Sequence, residues 1–236
     1  MKKIILTIFL LAAASVIAQN QLNQADYIVQ IESKKISTPY FTDTLDVYLT
    51  TREIGAGGFA FKLGFNPRQL AIVDVIRSEI LDSCRWEFFN ARQMKSSINP
   101  ENTLALWQIV GLAQMAGDTV GPNCFGFANR RGSLIKVIVS NENLMPATDS
   151  LIPLYFLWEN CSDNSLSSIK GDELLLSKKV VNYPIAESNT IMDGFPTING
   201  APEECLKKGT KNKPLRKVEF HNGGIIYVPP PKADTL

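Results

Sequence analysis

Histidine is almost missing from this chain. His221 is the only one among 236 residues. A Ser-His-Asp triad needs an imidazole converging with a nucleophile and a carboxylate. His221 lies beside Asn222-Gly223 and reads as a turn histidine facing water. Net charge is almost missing too, with Lys+Arg 24 against Asp+Glu 23. That balance leaves no global field to hold nucleic acid or an anionic membrane. The four cysteines contain no Cys-x-x-Cys pair, so with one histidine a zinc site has no ligand set. No Gly-Lys-Ser/Thr follows Gly55, Gly57 and Gly58, so these glycines form no phosphate loop and read as a turn or bulge. Among 23 acidic residues some pair of carboxylates always exists, so pairs alone say nothing about glycoside hydrolysis. A sustained helical period is also lacking. The sequence carries no positive signal for an enzyme, and no cofactor or metal is expected.

The N-terminus is a signal segment by pattern. Lys2 and Lys3 precede the apolar run Ile4–Ala14, and Val16-Ile17-Ala18 offers small residues to a signal peptidase. The run falls short of the roughly 20 residues a spanning helix needs. Cleavage after Ala18 is expected, with no membrane span left afterwards and a secreted, extracellular or periplasmic product. In an exported chain an even number of cysteines favours disulfides. Cys84, Cys124, Cys161 and Cys205 allow three pairings, and the sequence does not choose among them. Cys84–Cys124 and Cys161–Cys205 is the expectation adopted. The first would join an aromatic strand to the loop at 117–123, and the second would pin a core-poor segment to the end of the Trp158 strand.

The stretch that organises the chain is Gly57 to Pro67. Phe59, Phe61, Leu63 and Phe65 alternate with Ala60, Lys62, Gly64 and Asn66. A strand puts alternate side chains on opposite faces, so this one reads as half buried, with Lys62 on the open side. Asn66-Pro67 ends it in a turn, and Leu70 to Ile76 restarts an extended run. Further strands are expected at Tyr27–Glu32, Thr44–Thr50, Cys84–Phe89, Leu104–Gly111, Ser133–Val139, Leu151–Trp158 and Gly171–Ser177. Glu79–Ser83 reads as a loop or short turn. Many short strands between turn signals predict an all-β, two-sheet antiparallel β-sandwich, jelly-roll-like, with a C-terminal loop and hairpin.

The expected boundaries are 1–18 for the signal, 19–181 for the sandwich and 182–217 for an irregular segment broken by Pro184, Pro196, Pro202 and Pro214. A β-hairpin follows at 218–228, turning at Asn222-Gly223, and then a stiff Pro-rich tail at 229–236.

Three groups of residues carry a family resemblance. The first is the Gly57–Phe65 strand, the Asn66-Pro67 turn and the strand from Leu70 to Val75. The second is Trp158-Glu159-Asn160-Cys161-Ser162-Asp163-Asn164 followed by Gly171-Asp172 and Ser177. The third is Phe220-His221-Asn222-Gly223-Gly224-Ile225. Together they resemble cohesin modules and the related cellulose-binding type of carbohydrate-binding module, two-sheet sandwiches of secreted bacterial proteins. The resemblance implies a non-catalytic binding module. In that group a calcium-binding dockerin segment often follows the sandwich, but this sequence holds no Asp-x-Asn-x-Asp-Gly loop.

Two functions follow. Carbohydrate binding, the main reading, needs exposed flat rings on which pyranose C–H groups pack while hydroxyls meet polar neighbours. Period two puts Trp86 and Phe88 on one face, and they are the candidate ligand-binding pair. Trp107 and Trp158 lie inside long apolar runs and belong in the core. Asp163, Asn164 and Asp172 have oxygens for calcium, but their spacing is not that of an EF-hand loop, and turns that satisfy backbone amides explain the same residues and are the preferred reading. The alternative function is attachment to another secreted or cell-surface protein through a mixed sheet face without a ring pair. The expected partner is therefore a polysaccharide or such a protein.

Overall fold

The computed structural model describes residues 26–52, 55–83, 86–95, 104–113, 130–141, 150–159, 163–181 and 215–230. Within them the strands are β1 (Tyr27–Ile31), β2 (Ser33–Ile36), β3 (Phe41–Thr51), β4 (Ala56–Phe65), β5 (Ala71–Arg77), β6 (Trp86–Lys95), β7 (Ala105–Ala113), β8 (Arg130–Asn141), β9 (Ser150–Phe156), β10 (Ser165–Ser168), β11 (Leu174–Val181), β12 (Leu215–His221) and β13 (Gly223–Tyr227). Glu79–Ser83, expected as a loop or turn, forms a short helix, α1, that buries Leu81. The signal segment, all four cysteines, residues 182–214 and the tail after Pro230 lie outside the described residues.

The strands form the two layers of a sandwich, as the alternation implied. One layer runs β6-β7-β4-β9-β13-β2 and the other β5-β8-β3-β1-β12-β11. β10 pairs with both β4 and β11 and so ties the layers along one margin. The sheets are not wholly antiparallel: β1 and β11 each lie parallel to β12, and β2 lies parallel to β13. The Asn66-Pro67 turn carries the chain between layers, because β4 pairs with β7, β9 and β10 whereas β5 pairs with β8. Asn66 holds that turn by accepting the N–H groups of Gln69 and Leu70 on its carbonyl, both at 3.0 Å, and that of Arg68 on Oδ1 at 2.9 Å.

Phe59, Phe61, Leu63 and Phe65 all enter the core. Phe220 meets them from the opposite layer. Its ring centroid lies 6.2 Å from Phe61, 4.9 Å from Phe156 and 5.4 Å from Trp158, each pair edge-on. Edge-to-face rings at such spacings are favourable because the positive rim of one meets the negative face of the other.

The other side of β4 departs from expectation. Lys62 does not face water; it is 5% exposed and ion-paired with Glu159 and Asp163. β4 is a central strand, and the chain leaving β9 folds back over it. Leu157 donates its N–H to the Lys62 carbonyl at 2.8 Å. Asn164 Oδ1 accepts the Lys62 N–H at 2.8 Å, and Asn164 Nδ2 donates to the Leu157 carbonyl at 2.7 Å. A lone ammonium in such a place would be costly, and the two carboxylates supply its counter-charge.

The expected C-terminal hairpin is also corrected. β12 and β13 do not pair with each other. β12 lies between β1 and β11, and β13 between β2 and β9. The sequence read Asn222-Gly223 as a reversal, but it is where one extended segment passes from one layer to the other. Asn222 bridges the gap: its N–H donates to the Val181 carbonyl at 2.7 Å and its Oδ1 accepts the Phe156 N–H at 2.8 Å. The glycines are needed for close approach. A Cβ at Gly223 would stand 2.4 Å from the Ile31 carbonyl oxygen, and one at Gly224, where φ is +143°, 2.2 Å from that of Ile152. The last two strands thus belong to the sandwich and are not an appendage to a body ending at 181.

Candidate functional site

The outward face of β6, β7 and β4, extended by β10 and β11, presents side chains in successive cross-strand rows. In an antiparallel pair, residues directly opposite share a face. One row runs Phe88, Leu112, Gly58, Ser167, Leu174 across five strands. Phe88, Leu112 and Leu174 are 48%, 44% and 43% exposed. At about 4.8 Å between strands, the row is roughly 19 Å long. Gly58 keeps its centre low: a Cβ there would come 2.8 Å from Leu112 Cδ2 and 2.7 Å from Ser167 Oγ.

The next row mixes polar and small apolar side chains, with Asn90, Val110, Ala60 and Ser165. Arg92, Gln108 and Lys62 follow, with Arg92 Nη2 donating to Gln108 Oε1 at 3.2 Å. The last row, Met94, Leu106, Gly64 and Tyr155, closes over with Leu104 and Leu157 into a small apolar cluster. Burial there pushes the Tyr155 hydroxyl up to about 12. The face is therefore graded, from an open apolar row through polar and charged rows to a covered apolar patch.

The expected ring pair is not formed. Trp86 opposes Ala113 and Phe88 opposes Leu112, so the register shifts between them. Two residues on β6 against one on β7 is a β-bulge, which turns one side chain to the other face. Trp86 is 3% exposed, its ring 5.4 Å from that of Phe59, while Phe88 points outward. Trp158 is buried, and Trp107 packs half-buried against the core, as their apolar surroundings implied.

The oxygen-bearing residues considered for calcium have partners within the chain. Asp163 Oδ2 accepts from Lys62 Nζ at 2.9 Å and from the Glu159 N–H at 2.8 Å. Asn164 binds backbone of β4 and of the segment after β9. Asp172 Oδ1 accepts from Ser168 Oγ at 2.7 Å, which lowers its pKa. Burial opposes a charge on Lys62, but Glu159 and Asp163 outweigh it and hold its ammonium above the ordinary lysine value. His221 is not on a turn. It lies in β12, half-buried, with Nε2 3.3 Å from Glu219 Oε2.

Sequence reasoning found Phe88 but missed Leu112 and Leu174. Leu112 follows Gly111 at the end of an apolar run. Leu174 opens the triplet Leu174-Leu175-Leu176, whose other two members are buried. Neither position has an alternation that sets its face.

No protein-family model matches the chain, and no curated protein matches it. Among solved structures the chain is similar to cohesin modules. The seventh ScaB type I cohesin from Pseudobacteroides cellulosolvens is 12% identical with a TM-score of 0.47, over 89% of this chain and 97% of that one. A cohesin solved in the Coh-OlpC-Doc435 complex from Clostridium thermocellum is 11% identical with a TM-score of 0.47, over 88% and 98%. A non-cellulosomal cohesin from the archaeon Archaeoglobus fulgidus is 13% identical with a TM-score of 0.42, over 86% and 92%.

Proposed function

We propose that this chain is an exported attachment module that holds a protein partner on the outer face of β6, β7, β4, β10 and β11. The observation that carries this reading is the exposed row of Phe88, Leu112 and Leu174 beside polar and charged rows. An apolar strip with a polar surround has the anatomy of a protein interface, where a desolvated centre is ringed by groups that exclude water. Sugar stacking is supported less well. Trp86, the larger ring of the expected pair, is in the core, and Phe88 offers one ring without a coplanar neighbour. The resemblance of the sequence to cohesin modules implies the same kind of attachment. Export rests on the leader pattern, and N-terminal sequencing of the exported protein should begin at Gln19.

The test uses the mature protein and a Phe88→Asp, Leu112→Asp variant. Both are offered to the secreted proteins of the source cells and to a glycan array. Capture of a defined protein by the parent, lost in the variant at an unchanged urea midpoint, supports the reading. A glycan signal that disappears in Phe88→Ala, or a protein partner retained by the double variant, overturns it.

A further inference from the structure

A buried trio lies under the charged row of the attachment face. Lys62 Nζ lies 2.7 Å from Glu159 Oε2 and 2.9 Å from Asp163 Oδ2, with side chains only 6%, 10% and 9% exposed. We propose that Lys62 and Asp163 condense to an intramolecular amide, with Glu159 carrying the protons.

The groups are arranged for that reaction. Asp163 Oδ2 already accepts the Glu159 N–H at 2.8 Å. A backbone donor on that oxygen polarises the carboxyl carbon and stabilises the oxyanion that forms when nitrogen adds. Glu159 Oε2 touches the amine and is placed to act as general base and then as general acid. Position is fixed from both sides. Asn164, next to Asp163, is bonded to the Lys62 N–H and to the Leu157 carbonyl, and it adopts a left-handed φ of 52°. Holding nucleophile and acceptor in contact replaces a bimolecular encounter with a unimolecular step. Near-exclusion of water favours a condensation whose by-product is water.

The atoms balance without a co-reactant. Glu159 takes one proton from the Lys62 ammonium, and the freed amine adds to Asp163 Cγ. The C–N bond forms and Oδ2 becomes the oxyanion. Glu159 gives its proton to Oδ1, then takes a second from the nitrogen and passes it to the same oxygen as the Cγ–Oδ1 bond breaks and the Oδ2 oxyanion closes to the amide carbonyl. Oδ1 leaves with both protons as water. An ammonium and a carboxylate become one neutral amide and one water, and nothing is oxidised or reduced. The product ties β4 covalently to the segment after β9, two points 101 residues apart in sequence.

The experiment is peptide mapping of the full chain after reduction, unfolding and trypsin digestion. The expected product is a branched peptide joining residues 53–68 to residues 137–170, lighter than its two arms by one water, with no cleavage after Lys62. Fragmentation should place the branch at Asp163. Glu159→Gln should lower the branched fraction at least tenfold, and Lys62→Arg should abolish it. Separate linear peptides with intact Lys62 and Asp163 in the parent overturn the proposal, whatever the variants do. A branch at Glu159, a water lost without a branch, or full branching in Glu159→Gln each overturn it as well.

Discussion

Phe61→Ala tests the sandwich at the point where its two layers touch. Phe61 is 1% exposed at the middle of β4. Its ring stacks on Phe59 at 4.8 Å and meets Phe156 at 5.7 Å and Phe220 at 6.2 Å edge-on. Truncating a buried phenylalanine costs about 3–5 kcal/mol, through lost transfer energy and the cavity left behind. Three ring partners, each worth about 0.5–1.5 kcal/mol beyond area, put this position in the upper half of that range. The assay is urea unfolding of parent and variant under one redox condition, with the midpoint and slope fitted together. Phe88→Ala is the control, because its ring is half exposed and its loss should stay near 0.5 kcal/mol. A double-mutant cycle with Phe220→Leu should show coupling of about 0.5–1.5 kcal/mol, since only contact across the layers links the two residues. A loss below about 1 kcal/mol in Phe61→Ala, or zero coupling to Phe220, would refute the layered packing described here.

Measured against uncondensed parent protein, Lys62→Ala should cost about 3–5 kcal/mol, because it strands two buried carboxylates without their cation; urea unfolding at neutral pH measures it. Asn222→Ala should cost about 1–3 kcal/mol by leaving the Phe156 N–H unsatisfied in the interior, and faster amide exchange at Phe156 would locate the damage. Tyr155 has a folded pKa raised to about 12, so its stabilisation is complete below the ordinary tyrosine value of about 10 and is lost as pH rises from there toward 12. Tyr155→Phe should therefore flatten the fall in stability across that alkaline window.

Most of the fold was legible because alternation is a local signal. The core face of β4, the crossing at Asn66-Pro67 and the strands flanking them all follow from period two. What stayed hidden depends on partners distant in sequence. Lys62 reads as surface until Glu159 and Asp163 arrive from 97 and 101 residues away. Asn222-Gly223 has hairpin chemistry, yet the β1–β2 segment takes the pairing positions that a hairpin would use. β2 and β10 have only four residues each, too few for a pattern to emerge. The candidate face was half visible. Phe88 stood out, but one bulge at Glu87 separated it from Trp86, and the row through Leu112 and Leu174 exists only once β10 pairs with both β4 and β11.

The parallel lie of β1 beside β12, and of β2 beside β13, has a mechanical consequence. A pull on the chain ahead of Tyr27 and beyond Tyr227 draws the two paired segments in opposite directions along their own length. Their hydrogen bonds are then strained together, sideways, and cannot open one after another from an end. Midway along that seam Gly224 donates its N–H to the Glu32 carbonyl at 3.0 Å, while Asn222 ties the same segment on its other side to Val181 and Phe156. Tension applied through the backbone thus meets its greatest resistance where the first and last strands lie side by side. The outer face of β6 and β7 lies off that line, and a partner held there would stay seated while the load passes.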